Sequence, residues 1–348
     1  MATATPRFEL LDLMRGLAAI LVVAYHYVDQ QFLSGPRFLL SFGYLAVDFF
    51  FVLSGAVLTN AYAESLRCRQ LTWSAFIARR FSRLYPMVLI AGVMIAFIVR
   101  LPEVPTAGAL ADASHYWSAL LLIPSIASND GAAFPGNVPL WSLSAELLIN
   151  AVWAALLLGN FRYMRVLGQA CLCVLVLVTL QEEALGMGWA AGWQEALGAW
   201  LRAAGGFTIG CWLAQTPRRL AVGWSIALLA LGCSLIARTM TPASLLRGVV
   251  DLSVLGSSAL LVAQGLASPP PGAAVRHIGR ALGELSYPLY LTHGPASLFI
   301  VSLLSHGFNP WVTCIGISFA LAHLANQCDI TLRKIVSSAR RNRSSRKT

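Results

Sequence analysis

Charge is what this sequence is short of. Asp, Glu, Lys and Arg make up 11% of its 348 residues, while 57% are hydrophobic. An ordinary soluble domain holds roughly 25% charged residues. With a mean hydropathy of +0.68, the chain carries more apolar surface than one soluble core can hide, so a polytopic membrane protein is indicated. Cysteine pairing is also missing. The seven Cys are odd in number and form no Cys-x-x-Cys, which supports neither a disulfide framework nor a zinc or other metal site. Cys68 lies in a basic loop, and the other six, in or beside apolar runs, read as small buried hydrophobes. A cleaved signal peptide is not indicated, because the first apolar run is itself charged and no convincing small-x-small site follows it. No internal repeat occurs, and no second domain is expected.

What is present is a series of long apolar runs. A window of about 19 residues predicts ten spans, near 10–29, 41–60, 85–100, 138–160, 166–182, 198–215, 221–238, 246–266, 284–304 and 310–330. The shorter apolar segment 116–127, with Pro124 inside it, reads as re-entrant or interfacial. The net charge of +10 invites a nucleic-acid partner, but the placement of the basic residues argues for membrane orientation. With the N-terminus inside, 20 of the 25 Lys and Arg fall on inner segments, and Arg37, Arg100, Arg202, Arg238 and Arg247 stay outside. That follows the positive-inside rule and gives all-α architecture with both termini cytoplasmic. The expected layout is one membrane domain over 1–335 and a basic, disordered cytoplasmic tail over 336–348 near anionic lipid. The longest outer loop, 101–137, carries Glu103, Asp112, His115 and Asp130 and is expected over an outward-facing cleft.

The first span holds the most informative pattern. Within LLDLMRGLAAILVVAYHY, Asp12, Arg15 and His26 fall within about 40° of one helix face. Ionisable groups on a membrane helix mark a site by default. In span 2, Asp48 lies at a depth that suits a carboxylate orienting the His26 imidazole; the alternative is a helix-pairing contact. Ser54 and Gly55 read either as site residues or as small-residue helix packing. After span 2, Arg79, Arg80 and Arg83 sit on a short helix ended by Pro86. Two guanidinium forks there suit phosphate, and the alternative is a positive-inside anchor. Span 4 opens at Trp141 and puts Ser142, Glu146 and Asn150 on one face. In span 9, Tyr287, Tyr290 and His293 share a face and Pro288 bends the helix.

Taken in order, LDLMRGLAAILVVAYHY, AVDFFFVLSG, ARRFSRLYP, the W-S-L-S-A-E block and L-S-Y-P-L-Y-L-T-H resemble the acyltransferase 3 family of integral-membrane acyltransferases. The departures are Ala56, where an aromatic is frequent, and Ile149–Asn150, where an aromatic pair is frequent. The resemblance implies acyl transfer from cytoplasmic acyl-CoA, by default acetyl-CoA, to a hydroxyl of an envelope or exported carbohydrate or a lipid-linked glycan. It implies that Arg15 and His26 are the functional pair, that Arg80 and Arg83 serve the donor, and that Glu146 is the acidic residue of the block. The expected path puts CoA phosphates on Arg15, Arg80, Arg83 and Arg79, about 16 Å along α-helix axis from His26. His26 would then serve as general base or as transient acyl carrier, oriented by Asp48 or Glu146. Asp12, Ser54, Trp141, Ser142, Tyr290 and His293 would line the substrate. A secondary transporter, with polar groups on several helices along a path, and a sensory or scaffolding protein are the competing readings. Release of free thiol from acetyl-CoA separates the enzyme from a transporter.

Overall fold

The computed structural model of the protein describes residues 8–29, 40, 42–98, 113–127, 131–159, 161–216, 222–241 and 245–345. In hydrocarbon every backbone group has to be satisfied within the protein, and a helix does so within one segment. The described residues are accordingly helical, with a single isolated bridge between Ala132 and Ala190. The order is α1 Glu9–Asp29, a 3-10 turn at Gly43–Leu45, α2 Ala46–Arg67, α3 Trp73–Ile98, α4 Ala113–Leu120, α5 Leu140–Gly159, α6 Phe161–Gln181, α7 Trp193–Gln215, α8 Trp224–Met240, α9 Leu245–Ala267, α10 Ala273–Ser305 and α11 Pro310–Ser345. Among the described residues, each expected span overlaps a long helix. Six described segments are long and apolar enough to cross a membrane by length and composition: Glu9–Val28, Gly43–Arg67, Trp73–Ile98, Leu140–Gly159, Arg162–Gln181 and Leu246–Ala267. The protein is an all-α polytopic membrane protein.

Two helix pairs carry the bundle, α1 against α10 and α2 against α7, and glycine sets both. On α7, Gly206 and Gly210 form a Gly-x-x-x-Gly ridge. A Cβ on Gly210 would collide with the Val52 carbonyl oxygen, and one on Gly55 with the Phe207 carbonyl oxygen. On α10, Gly279 and Gly283 form a second such ridge. A Cβ there would meet Glu9 O at 2.8 Å and Asp12 Cβ at 2.9 Å, respectively. Small residues let backbones meet where no hydrophobic force drives helices together. The packing alternative for Gly55 is therefore the correct one.

Several expectations need correcting. Pro86 does not end a helix: α3 passes through it to Ile98. A helix-interior proline frees the carbonyl four residues back, and here Arg333 Nη1 reaches Ser82 O at 3.2 Å. Pro295, inside α10, frees Leu291 O, which accepts from Asn137 Nδ2 at 3.2 Å. The basic segment expected to be disordered continues α11 as helix to Ser345, since it holds neither Gly nor Pro to end it. Of the intramembrane cysteines, Cys211 and Cys314 are buried, whereas Cys173, Cys233 and Cys328 are exposed. The segment 116–127 is a short helix and turn. Its Leu122, at φ 58°, offers its carbonyl to Ser144 Oγ at 2.7 Å. Glu103, Asp112 and Asp130 lie outside the described residues.

Gly210→Ala should lower stability by about 1–3 kcal/mol, the usual cost of overpacking, because its new methyl faces backbone. Gly232→Ala on α8, which has open space around it, should not. Thermal unfolding of both variants in detergent checks this, and equal stability would remove the close α2–α7 contact.

Candidate active site

A cavity of about 720 Å³ opens between α1, α2, α3, α5, α10 and α11. Its lining includes Asp12 and Arg15 of α1, Ser54 of α2, Arg80 and Arg83 of α3, Ser142 and Glu146 of α5, Tyr290 of α10, and Asp329 and Arg333 of α11. Four guanidinium groups and four carboxylates (Asp12, Glu146, Glu284 and Asp329) thus share one space. Arg79, one residue from Arg80, is exposed and does not line it.

The charges are held by specific partners. Arg80 is buried, and its Nη2 donates to Glu146 Oε1 at 2.8 Å. Ser54 Oγ donates to the same oxygen at 2.7 Å. The acidic residue of the span 4 block therefore sits against the arginine of the inner loop. Glu146, expected to orient His26, is committed to Arg80 and Ser54 instead. Arg80 Nε is buried with no hydrogen-bond partner. Arg15 Nε donates to Ser286 Oγ at 2.8 Å, its Nη2 to the Gly283 carbonyl, and Asp12 Oδ1 lies 3.3 Å away. The Gly-x-x-x-Gly ridge is what lets Arg15 reach the α10 backbone.

At the other end of α1, His26 Nδ1 lies 2.8 Å from the Val22 carbonyl oxygen. A carbonyl can only accept, so Nδ1 carries the hydrogen and Nε2 the lone pair in the neutral ring. The group on Nδ1 is thus backbone, not the expected carboxylate. Asp48 is committed elsewhere: Arg202 Nε and Nη2 reach its two oxygens at 2.7 Å each, and both side chains are buried at 2% exposure. Trp141 stacks over that guanidinium at 5.3 Å and packs on Phe51, so it belongs to this buried pair rather than to the cavity lining.

Tyr290 closes the cavity toward the imidazoles. Its hydroxyl lies 2.7 Å from Ser142 Oγ. His293 lies 5.8 Å from the Tyr290 ring, and His26 lies 4.8 Å from His293. His293 is fully buried with neither ring nitrogen hydrogen-bonded. The cavity therefore stops one aromatic ring short of the histidine pair, and the expected open tunnel from Arg15 to His26 is interrupted at Tyr290.

Four further residues, Arg202, Arg238, Asp251 and Tyr44, form a buried network beside the site. The charge rule alone makes Arg202 and Arg238 outer exceptions. Each is the cation of a buried pair, Arg238 Nε with Asp251 Oδ1 at 2.6 Å. Tyr44 joins the two pairs: its hydroxyl donates to Asp251 Oδ2 at 2.8 Å, and its carbonyl accepts from Arg202 at 3.0 Å. The available signal was an ionisable residue inside an apolar run, which always asks for a partner.

Removing one member of a buried ion pair strands the other, at about 3–5 kcal/mol. Arg202→Met should destabilise by that order, and adding Asp48→Leu should recover most of it. Unfolding in detergent measures both, and a double variant no better than the single would show that Asp48 is not held by Arg202 alone.

A family model described as an acyltransferase domain matches residues 8–323. Among curated relatives, Protein 2 in picA locus of Rhizobium radiobacter is 37% identical over 161 residues, 42% of this chain and 81% of that protein. Peptidoglycan O-acetyltransferase OatA of Listeria monocytogenes is 31% identical over 165 residues, 44% of this chain. Acyltransferase MdmB of Streptomyces mycarofaciens is 35% identical over 147 residues, 38% of this chain. The matches span 25% and 35% of the length of those last two proteins. No solved structure matches. The family match takes in every cavity residue from Asp12 to Tyr290, and the chain belongs to the acyltransferase 3 family of membrane acyltransferases.

Proposed function

We propose that the protein transfers an acyl group, by default acetyl, from a cytoplasmic acyl-CoA to a hydroxyl of a cell-envelope or exported carbohydrate, free or lipid-linked. In this reading both termini are cytoplasmic and the chain sits in a bacterial inner membrane. One observation carries it: Arg15, Arg80 and Arg83 converge on a single cavity whose closed end lies against two imidazoles. Guanidinium forks suit the phosphates of a CoA. The names of the Listeria and Streptomyces relatives, an O-acetyltransferase of peptidoglycan and an acyltransferase, support the reaction class and a carbohydrate acceptor.

The chemistry follows from the imidazole. His26 Nε2 takes the proton of the acceptor hydroxyl, and the oxygen attacks the thioester carbonyl. An O–C bond forms as the C–S bond breaks, and the CoA thiolate leaves and recovers the proton. In the other route Nε2 attacks the thioester carbonyl and the C–S bond breaks, expelling CoA thiolate. The acceptor oxygen then attacks the acyl-imidazole, the N–C bond breaks, and the hydroxyl proton passes to the thiolate. In either route the Tyr290 ring has to swing out of the gap, giving up its Ser142 bond. Trapping of an acyl-imidazole by rapid quench and mass spectrometry assigns the second route.

Purified protein given acetyl-CoA and envelope polysaccharide should release free thiol. His26→Ala should lower that rate by about 10²–10⁴, the range for a lost general base, at unchanged protein level. Retained transfer removes His26 from the mechanism, and no thiol release by the unmodified protein removes the donor. For the donor end, Arg83→Ala is the cleaner probe, because Arg80→Ala would strand Glu146. Loss of one charged contact should weaken CoA binding about tenfold, and unchanged binding in calorimetry takes Arg83 out of the donor site.

A further inference from the structure

The helix that carries Arg80 and Arg83 reaches the cavity through a proline, and three consecutive carbonyls just before that proline are gripped from other helices. Pro86 has no N–H, so Ser82 O has lost its donor four residues on. Arg333 Nη1 donates to Ser82 O at 3.2 Å, and Arg333 Nη2 to Arg83 O at 2.7 Å. Tyr287 Oη donates to the next one, Leu84 O, at 2.7 Å. Arg333 is itself aimed: its Nε lies 2.8 and 2.9 Å from the two oxygens of Asp329, one turn earlier on α11. Both residues line the cavity, and both lie beyond residue 323, where the family match ends.

We propose that Arg333, held by Asp329, is a positioning residue for the donor end: it caps the carbonyls around the Pro86 bend and so sets the direction in which Arg80 and Arg83 leave α3. The forked guanidinium is needed for this. One edge meets two carbonyls while Nε meets the carboxylate, and a lysine ammonium has no such geometry. The inference rests on the reading of this cavity as the acyl-CoA site.

The test uses the full chain in detergent, with Arg333→Ala, Arg333→Lys, Pro86→Ala and the Pro86→Ala/Arg333→Ala double variant. Arg333→Ala should raise KM for acetyl-CoA about fivefold, a lost charged hydrogen bond discounted for its partly exposed setting, with kcat within about twofold. Arg333→Lys should behave like the alanine variant. Replacing Pro86 returns the donor to Ser82 O, so the double variant should show nearly the KM of Pro86→Ala alone. An unchanged KM in Arg333→Ala overturns the proposal. So does a rise that Pro86→Ala fails to relieve, which would make Arg333 a direct ligand of the donor. Hydrogen exchange over residues 82–90 gives a readout independent of turnover: Arg333→Ala should speed it and Pro86→Ala should reverse that. If the unmodified protein releases no thiol, the donor reading fails by itself, and unchanged exchange then overturns the positioning role.

Discussion

Hydrocarbon offers no hydrogen bonds, so each charge and each freed carbonyl in this bundle has to be met by another helix. That constraint explains the arrangement of the site better than any preference of single helices. Arg80 meets Glu146 and Ser54, Arg202 meets Asp48, Arg238 meets Asp251, and Arg15 meets Asp12, Ser286 and a carbonyl of α10. Pro86 and Pro295 obey the same rule, since the carbonyls they free are taken by Arg333 and Asn137. The pairs divide by setting. The Arg202 and Arg238 pairs are dry, and they tie α7, α8 and α9 to α2 and to the Tyr44 turn. The Arg80 and Arg15 pairs border a cavity, where a polyanion has room to compete for the guanidinium groups.

Such pairing needs backbones close enough for short side chains to bridge. The two Gly-x-x-x-Gly ridges supply that. Gly279 and Gly283 bring α10 against the first turns of α1, and Gly206 and Gly210 bring α7 against α2. The first contact puts Arg15 within reach of Ser286, and the second puts Arg202 beside Asp48. Packing and electrostatics are thus one arrangement: without the glycines Arg202 and Asp48 are too far apart, and two charges are left unpaired in hydrocarbon.

Much of this was legible from local pattern. The apolar runs fall on long helices among the described residues, and the stripe from Arg15 to His26 does lie on one helix. Tyr290 and His293 do share a face of α10, and their rings are in contact. What was not legible is partnership across the bundle. Depth counting along two neighbouring helices put Asp48 near His26, but its partner is 154 residues away on α7. Glu146, likewise expected beside His26, is held instead by Arg80, 66 residues away on α3. Spacing fixes which face a residue is on; which helix that face meets is set by the small residues, and the Gly ridges at 206–210 and 279–283 were the unread signal.

The histidine pair follows from the same economy of charge. A carboxylate on His26 Nδ1 would fix the tautomer at the cost of a further charge beside the ring. The Val22 carbonyl, one turn back on the same helix, fixes the tautomer with no added charge. His293 packs alongside at 4.8 Å. An imidazole oriented by backbone at the end of a cationic cavity is therefore a consequence of keeping carboxylates on the arginines. The Asp48–Arg202 pair is part of this arrangement: it commits Asp48 of α2 to α7 rather than to the ring.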